Sequence, residues 1–355
     1  MLGYLDHAAT TPLRPQAVEA MLPWLTDRFG NPSGGHRVAQ AARKAIDDAR
    51  DVVADCLGCQ PREVVFTGGG TEGDNLAVFG AGGASPVCGA TEHHAVLHAV
   101  ERVGGRTVPV HADGRLRVED IPGDATFVSV MLVNNEVGTI NELPEVDAVL
   151  HTDAVQSVTW LDVAAASARA DLVSVTGHKL GGPQGTGAIV VRNGIALEPL
   201  LVGGGQEQER RSGTHNVAGI VGFAAALRAC TDQRDEMVER VGKLRDRLAD
   251  GLLASIPGVT ESGTRDTKVA GICSLLIEDV ESEALLFLLD DAGICATAAS
   301  SCASGALEPS HVLAAMGVPR ELARGSLRLS LGWSSTDADV DLALDVIPRA
   351  VAQLR

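Results

Sequence analysis

Aromatic residues and positive charge are both scarce in this chain of 355 residues. Phe, Trp and Tyr together make up 3% of the sequence, so the core has to be built from Leu, Val, Ile and Ala. Lys and Arg number 29 against 46 Asp and Glu, which gives a formal net charge of −17. Nucleic acids and anionic membranes are bound mainly through basic surfaces, so the charge argues against both as partners.

Long apolar runs and regularly spaced cysteines are also missing. The longest nearly uncharged apolar stretch, VAGIVGFAAAL at 217–227, is too short to span a bilayer, and the N-terminal MLGYLDHAAT lacks the pattern of a secretory signal. Seven cysteines at irregular positions suit free thiols, and the lone CxxC of Cys56 and Cys59 has no partner residues for a metal site. We therefore expect a cytoplasmic protein without a metal centre.

The middle of the chain alternates short β-rich runs with helical patterns. The runs are EVVFT (63–67), SPVCGA (85–90), TFVSVMLV (126–133), AVLHTD (148–153), DLVSVTG (171–177) and GAIVVR (187–192). This alternation predicts an α/β fold with a mainly parallel sheet covered by helices. A charged helix is predicted near 232–254, and the pattern that follows it predicts a smaller α+β part.

Five of these runs are each followed by a polar cluster. In chain order the clusters are GGGTEGDN, TEHH, NNEVG, DAVQS and GHK. Ligands of open α/β sheets bind at the carboxyl ends of the strands, so we expect these clusters to form one site.

The residue types in the clusters suit a particular cofactor. The glycines at 68–75 precede a helix and, with the Thr71 hydroxyl, could hold a phosphate, although the lysine of a nucleotide P-loop is absent. Asp153 could keep a pyridine nitrogen protonated, Lys179 could form a Schiff base, and His93 could stack on a ring and transfer protons. Each residue alone is more often structural. Together they describe a site for pyridoxal 5′-phosphate (PLP).

The chain resembles the NifS/IscS-like cysteine desulfurases of the class V aminotransferase family. Ten ordered blocks carry this resemblance over nearly the whole length: YLDHAATTP (4–12), FGNPSGGH (29–36), VFTGGGTEGDN (65–75), TEHHAVL (91–97), VNNEVGT (133–139), TDAVQS (152–157), TGHKLGGPQGTG (176–187), GGGQEQERRSGT (203–214), SCASGALEPSHVL (301–313) and SLRLSLG (326–332).

The resemblance implies the PLP-dependent transferase fold of type I. A large PLP-binding domain would comprise residues 13–252, and a small C-terminal domain carrying the catalytic cysteine loop would comprise residues 1–12 and 253–355. The functional unit would be a homodimer.

The resemblance also implies a role for each candidate residue. Lys179 would carry the cofactor, His93 would stack on its ring and move protons, and Asp153 and Gln156 would contact the ring nitrogen and phenolic oxygen. The remaining assignments are Gly70, Thr71, Thr176, His178 and Thr214 of the partner subunit at the phosphate, and Asn135 and Arg328 at the substrate carboxylate.

Cys302 would decide the reaction. It lies in ASSCASGALEPSH among small residues and occupies the position of the family's persulfide-forming cysteine, whereas the other cysteines have apolar or helical surroundings. The implied reaction converts L-cysteine to L-alanine and leaves a persulfide on Cys302. A scaffold or sulfurtransferase protein would accept the sulfur for iron–sulfur cluster assembly, tRNA thiolation or related metabolism.

Three departures from the family pattern leave alternatives open. SSCAS replaces the usual GSACT, the span from Asn135 to Asp153 is short for a parallel connection, and no long extension follows the last helix. The alternatives are a selenocysteine lyase, another class V C–S lyase or aminotransferase, and a PLP-binding homologue without activity. Cys302 argues against a simple aminotransferase, which needs no thiol.

Overall fold

Short strands and longer helices alternate along the computed structural model, which describes residues 2–298 and 310–355. The strands are β1 (Gly3–Tyr4), β2 (Val64–Thr67), β3 (Pro86–Gly89), β4 (Arg106–Val108), β5 (Phe127–Ser129), β6 (Val149–Asp153), β7 (Leu172–Thr176), β8 (Gly187–Val191), β9 (Val259–Glu261), β10 (Ile272–Ile277), β11 (Ile294–Cys295) and β12 (Ser326–Ser330). The α-helices are α1 (Pro15–Leu25), α2 (Arg37–Leu57), α3 (Gly70–Ala81), α4 (His94–Arg102), α5 (Val163–Ala166), α6 (Val217–Asp232), α7 (Arg234–Ser255), α8 (Ser282–Asp291), α9 (His311–Ala315), α10 (Arg320–Ala323) and α11 (Asp337–Leu354).

A seven-stranded sheet in the order β2-β8-β7-β6-β5-β3-β4 forms the centre of the fold. The strands from β3 to β7 pair in parallel, which confirms the mainly parallel sheet predicted from the alternation. β8 is antiparallel to both of its neighbours, β7 and β2. The reason is the short Gly- and Pro-rich loop between β7 and β8, since a parallel connection needs a dozen or more residues.

The strand predicted over 126–133 ends earlier, at Ser129. Just beyond it, the buried carboxylate of Glu92 accepts a hydrogen bond from the Met131 N–H, which a neighbouring strand would otherwise have satisfied. The connection that continues to β6 contains no helix, in agreement with its short length. At this edge of the site, the side chain of Glu92 therefore takes the place of a backbone hydrogen-bond partner from the sheet.

The residues after α7 build a second group of strands. β10 pairs antiparallel with β9 and β12, and β1 joins this part of the chain by pairing in parallel with β11. An isolated bridge from Asp6 to Ser330 connects the N-terminal segment to β12, and a second bridge, from Thr297 to Arg328, connects the residues after β11 to β12. The first residues of the chain thus lie against its last strands.

The core is mainly aliphatic, as the scarcity of aromatics predicts. Its largest buried cluster combines residues of the central sheet, the surrounding helices and the second group of strands. α6 packs against α1 and α2 on one side of the sheet, and α3 packs against α4 on the other. None of the helices in the described ranges is long and apolar enough to cross a membrane.

Candidate active site

The polar clusters that follow β2 and β7 line one cavity of about 390 Å³ at the carboxyl end of the sheet. Gly70 and Thr71 come from the start of α3, and Thr176 and His178 come from the end of β7 and the loop that follows it. The four phosphate-binding candidates on this chain are therefore brought together, as the positions of the strand ends predict.

The wall that α3 contributes to this cavity requires glycine. Gly69 has a φ of 144°, in the region that side chains rarely adopt. A Cβ atom on Gly70 would lie 2.6 Å from a methyl carbon of Val155, which is too close for any larger residue. The exposed backbone N–H groups and the positive end of a 12-residue helix make this wall suitable for an anion.

Asp153, Gln156 and Lys179 lie next to this cavity. Gln156 and Lys179 line a neighbouring pocket, and the carbonyl that accepts from Lys179 belongs to Ala9, which lines the first cavity. The Asp153 carboxylate is buried and accepts a hydrogen bond of 2.8 Å from the Val155 N–H. Burial raises the pKa of Asp153 to about 6, although the hydrogen bond and the charge of Lys179 oppose the shift. The amine of Lys179 donates to the carbonyl oxygens of residues 8 and 9, the second at 2.7 Å, and Gln156 donates to the carbonyl of residue 8 at 2.7 Å.

Two histidines near Lys179 are neutral at pH 7. His93 caps α4, and its Nδ1 accepts a hydrogen bond of 3.1 Å from the Ala95 N–H, so the ring proton lies on Nε2. Burial, followed by the charge of Lys179, lowers the pKa of His93 to about 4 and that of His178 to about 4. Nδ1 of His178 lies 3.2 Å from the Thr10 hydroxyl. Both rings are therefore uncharged at neutral pH, and His93 presents an Nε2–H.

The side chain of Arg328 contacts Asn135 at its backbone carbonyl. Arg328 is buried on β12, and its guanidinium donates to the Asn135 carbonyl at 2.8 Å and to the Asp6 carboxylate at 2.9 Å. Its Nε has no hydrogen-bond partner in the described part of the chain. The planar guanidinium is thus held in place with donor capacity left for a carboxylate.

This set of residues fits PLP on chemical grounds. The glycine wall suits a phosphate, the buried Asp153 suits a protonated pyridine nitrogen, and Lys179 supplies a primary amine. The arrangement thus offers partners for the phosphate, the ring nitrogen and the aldehyde of PLP. The buried Arg328 suits the carboxylate of an amino acid.

Two predicted residues stand apart from this description. Thr214 is exposed and does not line the cavity, which is compatible with the predicted contact to a partner subunit. Cys302, the predicted nucleophile, lies outside the described residues.

Sequence reasoning missed several buried titratable residues around the site. Asp74, Glu92 and His151 are buried near Asp153, and Glu207 is buried within the otherwise polar segment 203–214. Only His151 had a usable signal, because side chains two residues apart on a strand share a face and His151 is two residues before Asp153.

The chain matches the Aminotransferase class-V family model over residues 3–343. The IscS-like cysteine desulfurase of Mycobacterium tuberculosis is 44% identical over 383 residues, covering 100% of this chain and 97% of the relative. The cysteine desulfurase IscS of Methanosarcina thermophila is 41% identical over 374 residues, covering 99% and 92%. A solved structure of a NifS-like protein has a TM-score of 0.92 at 30% identity and covers 99% of this chain and 100% of its own. The chain therefore belongs to the class V aminotransferase family and, within it, to the PLP-dependent cysteine desulfurases.

Proposed function

We propose that this enzyme converts L-cysteine to L-alanine with Cys302 as the sulfur acceptor, and that the residues assigned above carry out the reaction. The observation that supports the proposal is that the glycine wall of α3 lines a cavity together with Ala9, whose carbonyl accepts a hydrogen bond from the amine of Lys179. The charge of Lys179 in turn acts on the buried Asp153. A buried arginine for the substrate carboxylate lies on β12.

Bound PLP would withdraw electrons from the substrate, which allows loss of the Cα proton and weakens the Cβ–S bond. Lys179 would attach the cofactor covalently and, once displaced by the substrate amine, could carry a proton at its own amine. The negative charge of Asp153 would keep the proton on the pyridine nitrogen. His93, which is neutral and has Nδ1 occupied, would face the ring and exchange protons at Nε2.

The substrate carboxylate would bind Arg328, with the Asn135 side chain beside it. Arg328 suits this role because the carbonyl of Asn135 and the carboxylate of Asp6 already fix its orientation. Little rotational freedom would therefore be lost when substrate binds.

Cys302 would attack the substrate sulfur as a thiolate. An S–S bond forms as the Cβ–S bond breaks, and the carbon fragment keeps the electron pair and leaves as alanine after protonation. The six described cysteines support this assignment by contrast, because burial raises the pKa of every one of them: Cys56, Cys59, Cys88, Cys230, Cys273 and Cys295. A thiol with a raised pKa is a poor source of thiolate at neutral pH.

A cysteine assay with matched variants tests the proposal. The wild-type enzyme should release sulfide and alanine from L-cysteine in the presence of a reductant. Cys302→Ser should retain PLP but lose alanine formation by several orders of magnitude, because a serine hydroxyl is hardly ionised and is a poor nucleophile toward sulfur. Cys295→Ser, a partly buried control, should behave like the wild type.

Mass spectrometry gives a second measurement on the same proteins. After brief exposure to cysteine, the wild-type peptide that contains Cys302 should carry one extra sulfur atom. Near wild-type alanine production by Cys302→Ser, or an extra sulfur on a different cysteine, would refute the proposed mechanism and favour a selenocysteine lyase.

We further propose a homodimer in which Thr214 of the partner subunit contacts the phosphate. An exposed apolar surface supports this proposal. Along α1 and the loop after it, Leu22 is 56% exposed and Phe29 is 81% exposed, and Val202, just before the segment 203–214, is 81% exposed. Large apolar residues that are exposed on a single chain are typical of protein–protein interfaces.

The dimer is tested by sedimentation of matched charge variants at micromolar concentration. The double variant Leu22→Asp/Phe29→Asp should sediment as a monomer and lose PLP, since Thr214 of the partner subunit would be withdrawn. Phe287→Asp, on α8, is the control, because Phe287 is 75% exposed but lies in the other part of the fold. A fully active wild-type monomer would contradict the proposal.

The sulfur acceptor, the domain boundaries and the cellular location stay predictions. We propose a scaffold or sulfurtransferase protein as acceptor, in iron–sulfur cluster assembly, tRNA thiolation or related metabolism, and a cytoplasmic location. The proposed division into residues 13–252 and residues 1–12 with 253–355 is supported by the pairing of β1 with β11.

A further inference from the structure

A buried polar layer lies between α3 and the central sheet, behind the Asp153 carboxylate. His151 and Asp153 are two residues apart on β6 and therefore share one face of the sheet. Ser174 is the register partner of Asp153 on β7. The side chain of Asp74, on α3, is 2% exposed, and its Oδ1 lies 3.7 Å from Nε2 of His151.

The hydrogen bonds of the His151 ring go to hydroxyl groups and not to Asp74, which has the Ser174 hydroxyl as its hydrogen-bond partner. Nδ1 of His151 is 2.8 Å from the Ser129 hydroxyl, and its Nε2 is 3.0 Å from the Ser174 hydroxyl. Both ring nitrogens are thus engaged by hydroxyl groups. Oδ1 of Asp74 has no hydrogen-bond partner within the described ranges.

The charges around Asp74 do not favour an ionised carboxylate. The titratable groups that face it are His151 and Asp153 from β6 and Glu92 from the segment before α4. From β7 the Ser174 hydroxyl donates a hydrogen bond that favours the ionised form, but burial and the charge of Asp153 outweigh it. Burial lowers the pKa of His151 to about 3, so its ring is neutral. Among the described residues, His151 is the only basic residue close enough to Asp74 to form an ion pair. A buried carboxylate with an unsatisfied oxygen and anionic neighbours is costly unless it takes a proton.

We propose that Asp74 is a positioning residue for Asp153: it keeps its own proton and thereby leaves the negative charge of the buried layer on Asp153. Two buried carboxyl groups whose charges repel each other cannot both be ionised without a large penalty. Asp153 has a hydrogen bond from the Val155 N–H and lies near Lys179, so it is the better place for the charge. In agreement, burial raises the pKa of Asp74 well above its ordinary value.

This inference rests on the proposed role of Asp153 toward the pyridine nitrogen. An ionised Asp153 holds a proton on that nitrogen, whereas a neutral one does not. Asp74 would thus act on the reaction without touching the cofactor or the substrate.

Infrared spectroscopy of the full-length enzyme containing ¹³C-carboxyl-labelled aspartate tests the protonation directly. At pH 7 the wild type should show the carbonyl stretch of a protonated, buried Asp. The ¹³C label should shift the frequency of this band. The band should persist in Asp153→Asn and disappear in Asp74→Asn. A wild type without such a band, or a band that survives in Asp74→Asn, overturns the proposal. The wild-type spectrum alone can refute it, so the test does not depend on either variant folding.

A pair of substitutions separates positioning from packing. Asp74→Asn keeps the shape and the neutral state, whereas Asp74→Ala leaves a buried hole. The proposal expects Asp74→Ala to lose at least about tenfold in kcat, with the pH dependence of the bound cofactor's absorbance shifted, and Asp74→Asn to recover most of the loss. Asp74→Asn that is as impaired as Asp153→Asn would overturn the proposal.

Failure of the proposed function would look different. If the wild type forms no alanine from L-cysteine, the desulfurase reaction fails, but the infrared band still reports whether Asp74 is protonated. If alanine forms and the band is absent, only the role of Asp74 fails.

Discussion

Glu207, a member of the segment 203–214, attaches this segment to α2 and β2, and replacing it should measurably destabilise the protein. Its side chain is 1% exposed. It accepts two hydrogen bonds from Arg50, at 2.6 and 2.8 Å, one from the Phe66 N–H at 2.9 Å, and it lies 2.7 Å from Nε2 of His215. One carboxylate therefore joins α2, β2 and the proposed interface segment.

The backbone at Glu207 needs this anchor. Glu207, Gln208 and Glu209 have φ values of 50°, 57° and 66°, all in the left-handed region. Each non-glycine residue in this region costs on the order of 1–3 kcal/mol. The hydrogen bonds of the Glu207 carboxylate offset this strain.

The substitution Glu207→Gln keeps the shape of the side chain and removes its charge. The hydrogen bonds from His215, Arg50 and Phe66 lower the pKa of Glu207 to about 2, despite an opposing effect of burial. Relative to the ordinary pKa of a glutamate, this shift corresponds to about 3 kcal/mol of folding free energy. Breaking one side of a buried pair costs about 3–5 kcal/mol, which agrees in size.

Urea unfolding followed by tryptophan fluorescence measures the effect. At pH 7 the unfolding free energy of Glu207→Gln should be lower than that of the wild type by about 3 kcal/mol. Because the folded pKa is depressed, the stabilisation is present above about pH 4.5 and is lost as the pH falls toward 2, so the gap should narrow in acid. The control is Asp124→Asn, which removes an exposed ion pair with Arg106 and should change the unfolding free energy little. A loss in Glu207→Gln no larger than in this control, or a gap that does not narrow in acid, would refute the reasoning.

Three further predictions concern Lys179, Arg328 and His7. Borohydride should fix the cofactor to the wild-type peptide containing Lys179 but leave Lys179→Ala unlabelled; labelling of that variant would refute the assignment. Arg328→Lys should raise KM for cysteine by about 10- to 100-fold, because lysine lacks the planar fork, while the exposed control Arg106→Lys should leave KM unaltered. Burial lowers the pKa of His7 to about 4, so stability falls as the pH drops from about 6.5 to 4, and the melting temperature of His7→Gln should fall less steeply than that of the wild type.

The residues that form the site could be predicted from the sequence, whereas the buried contacts that support them could not. The carboxyl ends of parallel strands meet at one edge of a sheet, so the polar residues after β2, β6 and β7 had to come together once the alternation was recognised. The antiparallel direction of β8 also follows from its short connection to β7, because the loop that presents Lys179 leaves no room for a crossover.

Partners that are far apart in the chain could not be predicted in this way. Arg50 and Glu207 are separated by 157 positions, and no local pattern indicates that one faces the other. The same holds for Asp6, which binds Arg328 across 322 positions. A buried carboxyl such as Asp74 looks in sequence like any polar residue of a surface helix, and only the packing of α3 on the sheet reveals its surroundings.

The net charge of −17 explains why local contacts matter so much at this site. Both the cofactor phosphate and the substrate carboxylate are anions, and the field of the whole protein repels them, although salt reduces that field beyond about 8 Å. Binding must therefore come from donors at close range: the N–H groups at the start of α3, the amine of Lys179 and the guanidinium of Arg328. Every additional negative charge near these donors weakens them. The proposed proton on Asp74 and the pairing of Glu207 with Arg50 are two ways in which the fold keeps its surplus of carboxyl groups from doing so.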